Sequence, residues 1–184
     1  MNEAYKLNPI YGSRVFLRPI QMDDTPLILK WRNNPEVRKN FIFQEALTKE
    51  IHTNWMLTKV ASGEVVQYII ILQDTHTPVG SVYLRDIDQM NRSAEFGIFI
   101  GEDSARGKGI GSVATRLFIQ SMFSSLHLHK IFLRVLADNS QAYNSYLNAG
   151  FKLEGISRDM VYLNNAYKNI IFMSILEKEV TELK

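Results

Sequence analysis

A mixed α/β (α+β) fold in one domain is the class this sequence predicts, and three observations carry it. Hydrophobic residues make up 46% of the 184 and aromatic residues 11%, enough for a sizeable core in a chain of one-domain length. Residues 65–73, 78–85 and 93–100 are apolar, strand-sized and separated by turn-like stretches at 74–77 and 86–91, which is the rhythm of an antiparallel meander. A glycine-rich loop, an apolar helix at about 109–125 and a strand at 130–136 follow. A strand-loop-helix-strand unit of this kind tends to make a parallel or splayed strand pair with a ligand site at the loop. No internal repeat, low-complexity tract or Pro/Gly/Ser-rich linker interrupts the chain, so a single domain over residues 1–184 is expected, its core at about 14–177.

The elements follow in order. Residues 14–20 alternate Val15, Leu17 and Pro19 with Phe16, Arg18 and Ile20 and read as a first strand. Asp23 or Asp24 offers an N-cap to a helix carrying Leu27, Ile28 and Trp31, and Asn33, Asn34 and Pro35 stop it. A second helix is expected from about Thr48, its N-cap, to Val60, with Ile51, Trp55 and either Met56 or Leu57 inward and Ser62 with Gly63 closing it. Beyond the meander and the central helix, the strand at 130–136 leads to a helix at 140–149. Two strands then flank Asn164 and Asn165, a pair that tolerates the positive φ of a tight hairpin.

Composition narrows the function classes. Lys and Arg number 21 against 19 Asp and Glu, a net charge of +2, too balanced for a dedicated nucleic-acid binder. With no cysteine and four histidines, disulfides, thiolate catalysis and Cys-based zinc or iron–sulfur sites are out, and no metal site is expected. The first residues hold no apolar core of signal-peptide length, and the longest apolar runs, such as 68–72, are strand-sized. A soluble, cytoplasmic protein with no membrane partner is therefore expected.

The most informative segment is the loop after residue 100. Gly107, Gly109 and Gly111 alternate between a strand and a long apolar helix, where backbone N–H groups and the helix dipole favour an anion, and Arg106 and Lys108 add positive charge. A flexible connection is the plainer reading of three such glycines. The segment is not a P-loop, because no Lys-Ser/Thr follows its last glycine. It is not a dinucleotide fingerprint either, because G-x-G-x-x-G fails at Ser112 and the preceding strands look antiparallel.

Arg106-Gly107-Lys108-Gly109-Ile110-Gly111 resembles the (Gln/Arg)-x-x-Gly-x-(Gly/Ala) pattern of the GNAT superfamily of acyl-CoA-dependent N-acetyltransferases. Asn139-x-x-Ala142-x-x-x-Tyr146-x-x-x-Gly150-Phe151 resembles that family's next signature, and the element order from Arg14 to Leu176 looks like the whole GNAT domain. Leu17-Arg18-Pro19, Ala94-Glu95-Phe96-Gly97 and the stretch from Asn164 to Asn169 are similar to the branch of ribosomal-protein, polyamine and nucleotide-sugar N-acetyltransferases. One residue looks inserted between Ile100 and Arg106 relative to many members.

The resemblance implies a GNAT-like sheet, mostly antiparallel with one splayed strand pair and flanking helices. It implies acetyl-CoA as co-substrate, an amine acceptor and a homodimer as one option. Coenzyme contacts would come from Ile98, Phe99 and Ile100 on the splaying strand, from Arg106, Gly107, Lys108, Gly109, Ile110, Gly111 and Ser112 in the loop, and from Asn139. Tyr146 is similar to the tyrosine that protonates or hydrogen-bonds the departing sulfur, although a tyrosine at helical spacing is in itself an ordinary core residue.

Acetyl transfer needs a neutral nitrogen, while a lysine-like amine has a pKa of about 10.4. Glu95 is the candidate base, with a pKa raised by neighbours such as Phe96 and Ile98. It equally reads as an anchor for the substrate ammonium or a structural partner of Arg92. His52, His76, His127 and His129 sit in no recognisable motif. Gly97 marks a bulge or a close approach.

The acceptor wall is expected around residues 31–50. That segment lacks the acidic lining a polyamine would want, and Trp31-Arg32-Asn33 resembles a motif of amino-sugar nucleotide acetyltransferases. The plainer reading of that helix puts Trp31 in the core and Arg32 in solvent. A peptide N-terminus lying across the splayed strands is a third acceptor, and a non-catalytic acyl-CoA-binding module is the alternative to an enzyme.

Overall fold

The computed structural model describes residues 7–180; residues 1–6 and 181–184 of the expected domain lie outside them. Strands β1 (Ile10–Tyr11), β2 (Val15–Pro19), β3 (Val66–Leu72), β4 (Pro78–Asp88), β5 (Ser93–Ile100), β6 (Lys130–Leu136), β7 (Lys152–Leu163) and β8 (Ala166–Leu176) form one sheet in the order β1-β2-β3-β4-β5-β6-β8-β7. All neighbours run antiparallel except β5 with β6. Helices α1 (Thr25–Asn33), α2 (Pro35–Arg38) and α3 (Lys49–Trp55) lie on one face, α4 (Ile110–Leu126) and α5 (Ser140–Asn148) on the other, and α6 (Glu177–Val180) follows β8.

Two apolar clusters result, one per face. Ile110, Ala114, Phe118 and Met122 recur every four residues along α4 and are buried, so the helix lays one stripe on the sheet. In β5, Ala94 and Phe96 enter that cluster with Ile98 and Ile100 packed against it, while Phe99 enters the smaller cluster of Ile28, Trp31, Val37 and Met56. Strand alternation thus sends one strand to two cores.

Local expectations meet corrections at two places. Asp24 occupies the N-cap of α1 but its side chain accepts no capping hydrogen bond from that helix; its carboxylate takes the Arg18 guanidinium at 2.8 and 2.9 Å and the Gln21 N–H at 2.8 Å, because a charged bidentate partner outcompetes a neutral one. α3 is rotated from the expected face. His52 and Met56 are buried, whereas Ile51 is 55% and Leu57 64% exposed. The His52 ring pairs with Thr25 Oγ1 of α1 at 3.0 Å, and a π-helical turn over Met56–Val60 breaks the α-helical period that the expectation assumed. Gly97 marks a close approach, since a Cβ there would lie 2.3 Å from Tyr83 Cζ. Asn164 and Asn165, at φ 51° and 61°, close the β7–β8 hairpin.

The feature that positions the site is the parallel pair. β5 pairs with β6 only through Ser93 with Lys130, Ala94 with Ile131 and Glu95 with Phe132, yet β5 stays paired with β4 as far as Ile100. Past Glu95 the two strands part, leaving the β6-facing backbone edge of Phe96–Ile100 free of sheet bonds.

Candidate active site

A cleft of about 750 Å³ opens where β5 and β6 separate, and it reaches both faces of the sheet. One side of it is backbone. Gly107 and Gly109 sit at φ 70° and 73°, a region non-glycine residues enter at a cost. Gly109 is the N-cap of α4 with no side-chain cap, and the Val113 N–H is the first to bond back, to the Gly109 carbonyl at 3.2 Å. The N–H groups of Ile110, Gly111 and Ser112 precede that bond at the positive end of a 17-residue helix, the geometry that takes a phosphate. A Cβ on Gly111 would meet nothing nearer than Ser145 Oγ at 3.7 Å, so packing does not require glycine there, and Gly111 lines the cleft.

The expected charges of this loop are placed differently. Arg106 folds back: its Nε donates to the Ile100 carbonyl at 3.1 Å, Nη2 to the Gly101 carbonyl at 3.2 Å, and Nη1 pairs with Asp103 at 2.8 Å. It fixes the loop to the end of β5, because carbonyls left over at a strand terminus attract the nearest donor. Lys108 is exposed and lies outside the cleft lining; its carbonyl accepts from Arg14 at 2.9 Å. Ile98, Phe99, Ile100, Arg106, Gly107, Gly109, Ile110, Gly111, Ser112, Asn139, Glu95 and Tyr146 all line the cleft. Ser112 also ties α4 to Ser145 of α5 at 2.9 Å, and the Asn139 carboxamide oxygen caps α5 through the Ala142 N–H at 3.1 Å.

Tyr146 packs edge-on against Phe96 and Phe151, with ring centroids 6.2 and 5.9 Å apart. Its hydroxyl makes no hydrogen bond among the described residues. Burial pushes its pKa well up, with a smaller push from Tyr83, so the phenol stays protonated throughout the neutral range.

Glu95 is 4% exposed and held by two guanidiniums. Arg134 donates to Oε1 at 2.9 Å and to Oε2 at 3.0 Å; Arg85, its direct cross-strand partner, reaches Oε2 at 3.1 and 3.0 Å. The expected raised pKa is overturned. Burial does push it up, but the hydrogen bonds and charges of Arg134 and Arg85 outweigh burial and hold it below the ordinary value of 4.5. The expected Arg92 partner is elsewhere, bonding the His127 carbonyl and Glu177.

Trp31 is in the core as expected, 1% exposed, its Nε1 donating to Glu102 at 2.7 Å and its ring filling the space a Gly101 side chain would need. Arg32 is not in solvent. Its guanidinium carbon lies 3.4 Å from the Phe41 ring centroid, and it lines the cleft together with Tyr83, Arg85 and Arg134. Sequence reading missed those last three. The signal for Arg85 was its register opposite Glu95 in the meander; Arg134 needed the parallel register, which no local pattern carries.

Comparisons with known proteins agree with this geometry. Residues 14–152 match the family model described as Acetyltransferase (GNAT) domain. Spermidine N(1)-acetyltransferase of Escherichia coli K12 is 28% identical over 165 residues, covering 90% of this chain and 87% of that protein. The ribosomal-protein-serine acetyltransferase of the same strain is 28% identical over 137 residues, 74% of each. In fold, the chain resembles the crystal structure of spermidine N-acetyltransferase from Vibrio cholerae in complex with CoA and spermine, with a TM-score of 0.86 at 24% identity over 92% of this chain and 99% of that one.

Proposed function

Because the chain belongs to the GNAT acetyltransferase family, we propose that it transfers an acetyl group from acetyl-CoA directly to a primary amine. The observation that carries this reading is that the freed edge of β5, the uncapped start of α4 and Tyr146 line one cleft. The N–H groups of Ile110, Gly111 and Ser112 take the coenzyme's pyrophosphate. The Ile98–Ile100 edge of β5 takes the amide-bearing arm much as a strand would, directing the thioester into the gap between β5 and β6.

Attack by the neutral amine gives a tetrahedral intermediate whose collapse breaks the C–S bond and expels a thiolate, while the proton left on the new amide nitrogen passes to solvent water. Tyr146, kept neutral by burial, donates a hydrogen bond to that sulfur. Full proton transfer would be uphill, since a thiol has a pKa of about 8.5, so its contribution is stabilisation of developing charge. Of the roles open to Glu95, its contacts favour holding Arg85 and Arg134 in place; a carboxylate with a lowered pKa is a poor base at neutral pH. The proposed transfer is direct because the chain has no cysteine and its sequence shows no recognisable Ser-His pair to carry the acetyl group. A cytoplasmic setting belongs to the same proposal; among the described residues no helix is long and apolar enough to cross a membrane.

The test is thiol release from acetyl-CoA with a panel of amines, and the absence of cysteine means that a thiol reagent reads only free coenzyme. Amine-dependent release is expected. Acetyl-CoA binding with no release across the panel would leave the non-catalytic acyl-CoA-binding module.

A further inference from the structure

The acceptor side of the cleft has more positive than negative charge, and the surplus is partly buried. Arg32 on α1, Arg85 on β4 and Arg134 on β6 line it with one shielded carboxylate, Glu95. Glu95 is fully engaged by Arg85 and Arg134. Asp86, 3.7 Å from Arg85, is 70% exposed and faces water, and Glu36 on the rim is taken by Lys39 at 2.5 Å. Arg32 therefore has no anionic partner among the described residues. Its Nη1 is shielded from water with no hydrogen bond at all, and Phe41 covers the guanidinium face.

Burial pulls its pKa down, with Tyr83 opposing and Arg85 adding to the effect. A guanidinium cannot escape such a site by losing its proton, so it stays charged and short of one partner. Buried polar groups are nearly always satisfied, and an orphan donor of this kind points to a group that binds there.

We propose that the acceptor amine carries a phosphate or carboxylate, and that Arg32, backed by Arg85, receives it. The inference rests on the acetyltransfer reading for the amine and on the charge cluster alone for the anion. The planar fork of Arg32 matches two oxygens of either group, and the Phe41 ring orients that fork. A polyamine would bring only further positive charge to the same wall. The cleft divides the work: the coenzyme's phosphates go to backbone N–H groups at α4, and the acceptor's anion goes to side-chain guanidiniums on the opposite face of the sheet.

The test uses the full chain saturated with CoA, so that the α4 site is filled, and titrates it with inorganic pyrophosphate in one arm and spermidine in the other, by calorimetry at fixed ionic strength. Pyrophosphate is expected to bind, at least about tenfold more weakly to Arg32→Met, with Arg32→Lys between the two. Spermidine binding without pyrophosphate binding, or an Arg32→Met protein that binds pyrophosphate as well as the parent, overturns the proposal. Thiol release with glucosamine 6-phosphate and with glucosamine separates this from the underlying reading. A preference for the phosphorylated amine that Arg32→Met removes supports both. Equal use of the two amines overturns the anion site and keeps the transferase; Arg32-dependent pyrophosphate binding with no thiol release from any amine overturns the transferase and keeps the anion site.

Discussion

The two sides of the cleft are built from different materials. On the α4 side the groups lining the cleft come from one stretch of chain, within residues 98–112, whose backbone is shaped by glycines at positive φ. On the α1 side they are side chains from four elements: Arg32, Tyr83 with Arg85, Glu95 and Arg134. A backbone site keeps its chemistry under most substitutions and fails when a side chain or charge intrudes. A side-chain site depends on a charge balance, and a single neutral replacement shifts it. The proposed sharing of labour between coenzyme and acceptor follows from that difference.

Gly111→Asp should break the backbone side most completely. The open space at this Cβ accommodates the residue, and a carboxylate in the first turn favours the helix by about 0.3–1 kcal/mol, so thermal unfolding should be unchanged or slightly later. Against a bound pyrophosphate the same charge costs about 4 kcal/mol, and calorimetry should show acetyl-CoA affinity reduced roughly a thousandfold. Equal affinity would mean that the α4 terminus is not the anion site.

Glu95→Gln addresses the other side. Removing a 4% exposed carboxylate from between two guanidiniums should cost about 3 kcal/mol of folding stability in denaturant titrations at pH 7. The sign with pH follows from the lowered pKa. The carboxylate's contribution is fully present above its unfolded value near 4.5 and is lost as pH falls through the lower folded value, so the gap between parent and variant should close in acid. A variant as stable as the parent would show the two guanidiniums to be held by something else.

Tyr146→Phe tests the point where the two sides meet. Loss of one donor to the leaving sulfur should lower kcat about a hundredfold with acetyl-CoA affinity unchanged, since the ring's contacts with Phe96 and Phe151 remain. Unaltered kcat would remove its assigned role. The smallest effect is expected from Lys108→Ala, within about threefold in coenzyme affinity, because an exposed charge outside the cleft acts through screened solvent.

How legible each side was in the sequence follows the same division. The G-x-G-x-G loop, the strand before it and the helix after it are contiguous, so their meeting around one strand-to-helix turn was readable from spacing. Even there, where the loop's cations go was not. Arg106 and Lys108 stand two residues apart, yet the spare carbonyls of Ile100 and Gly101 claim Arg106 and Lys108 turns outward. Glu95 was recognisable as a candidate and its environment was misjudged: alternation already places Phe96 and Ile98 on the face opposite Glu95, and that Arg85 and Arg134 share the face of Glu95 depends on the register between strands.

The sequence by itself determined the order of elements, the antiparallel meander, the glycine loop and the tyrosine of α5, because each rests on periodicity or backbone conformation within a few residues. Tertiary structure alone decided how far β5 follows β6 before parting from it, where Arg32 goes, and the sign of the Glu95 shift. Those depend on register between distant strands and on the balance of burial against charge, and Coulomb energies turn on distances that no stretch of sequence contains.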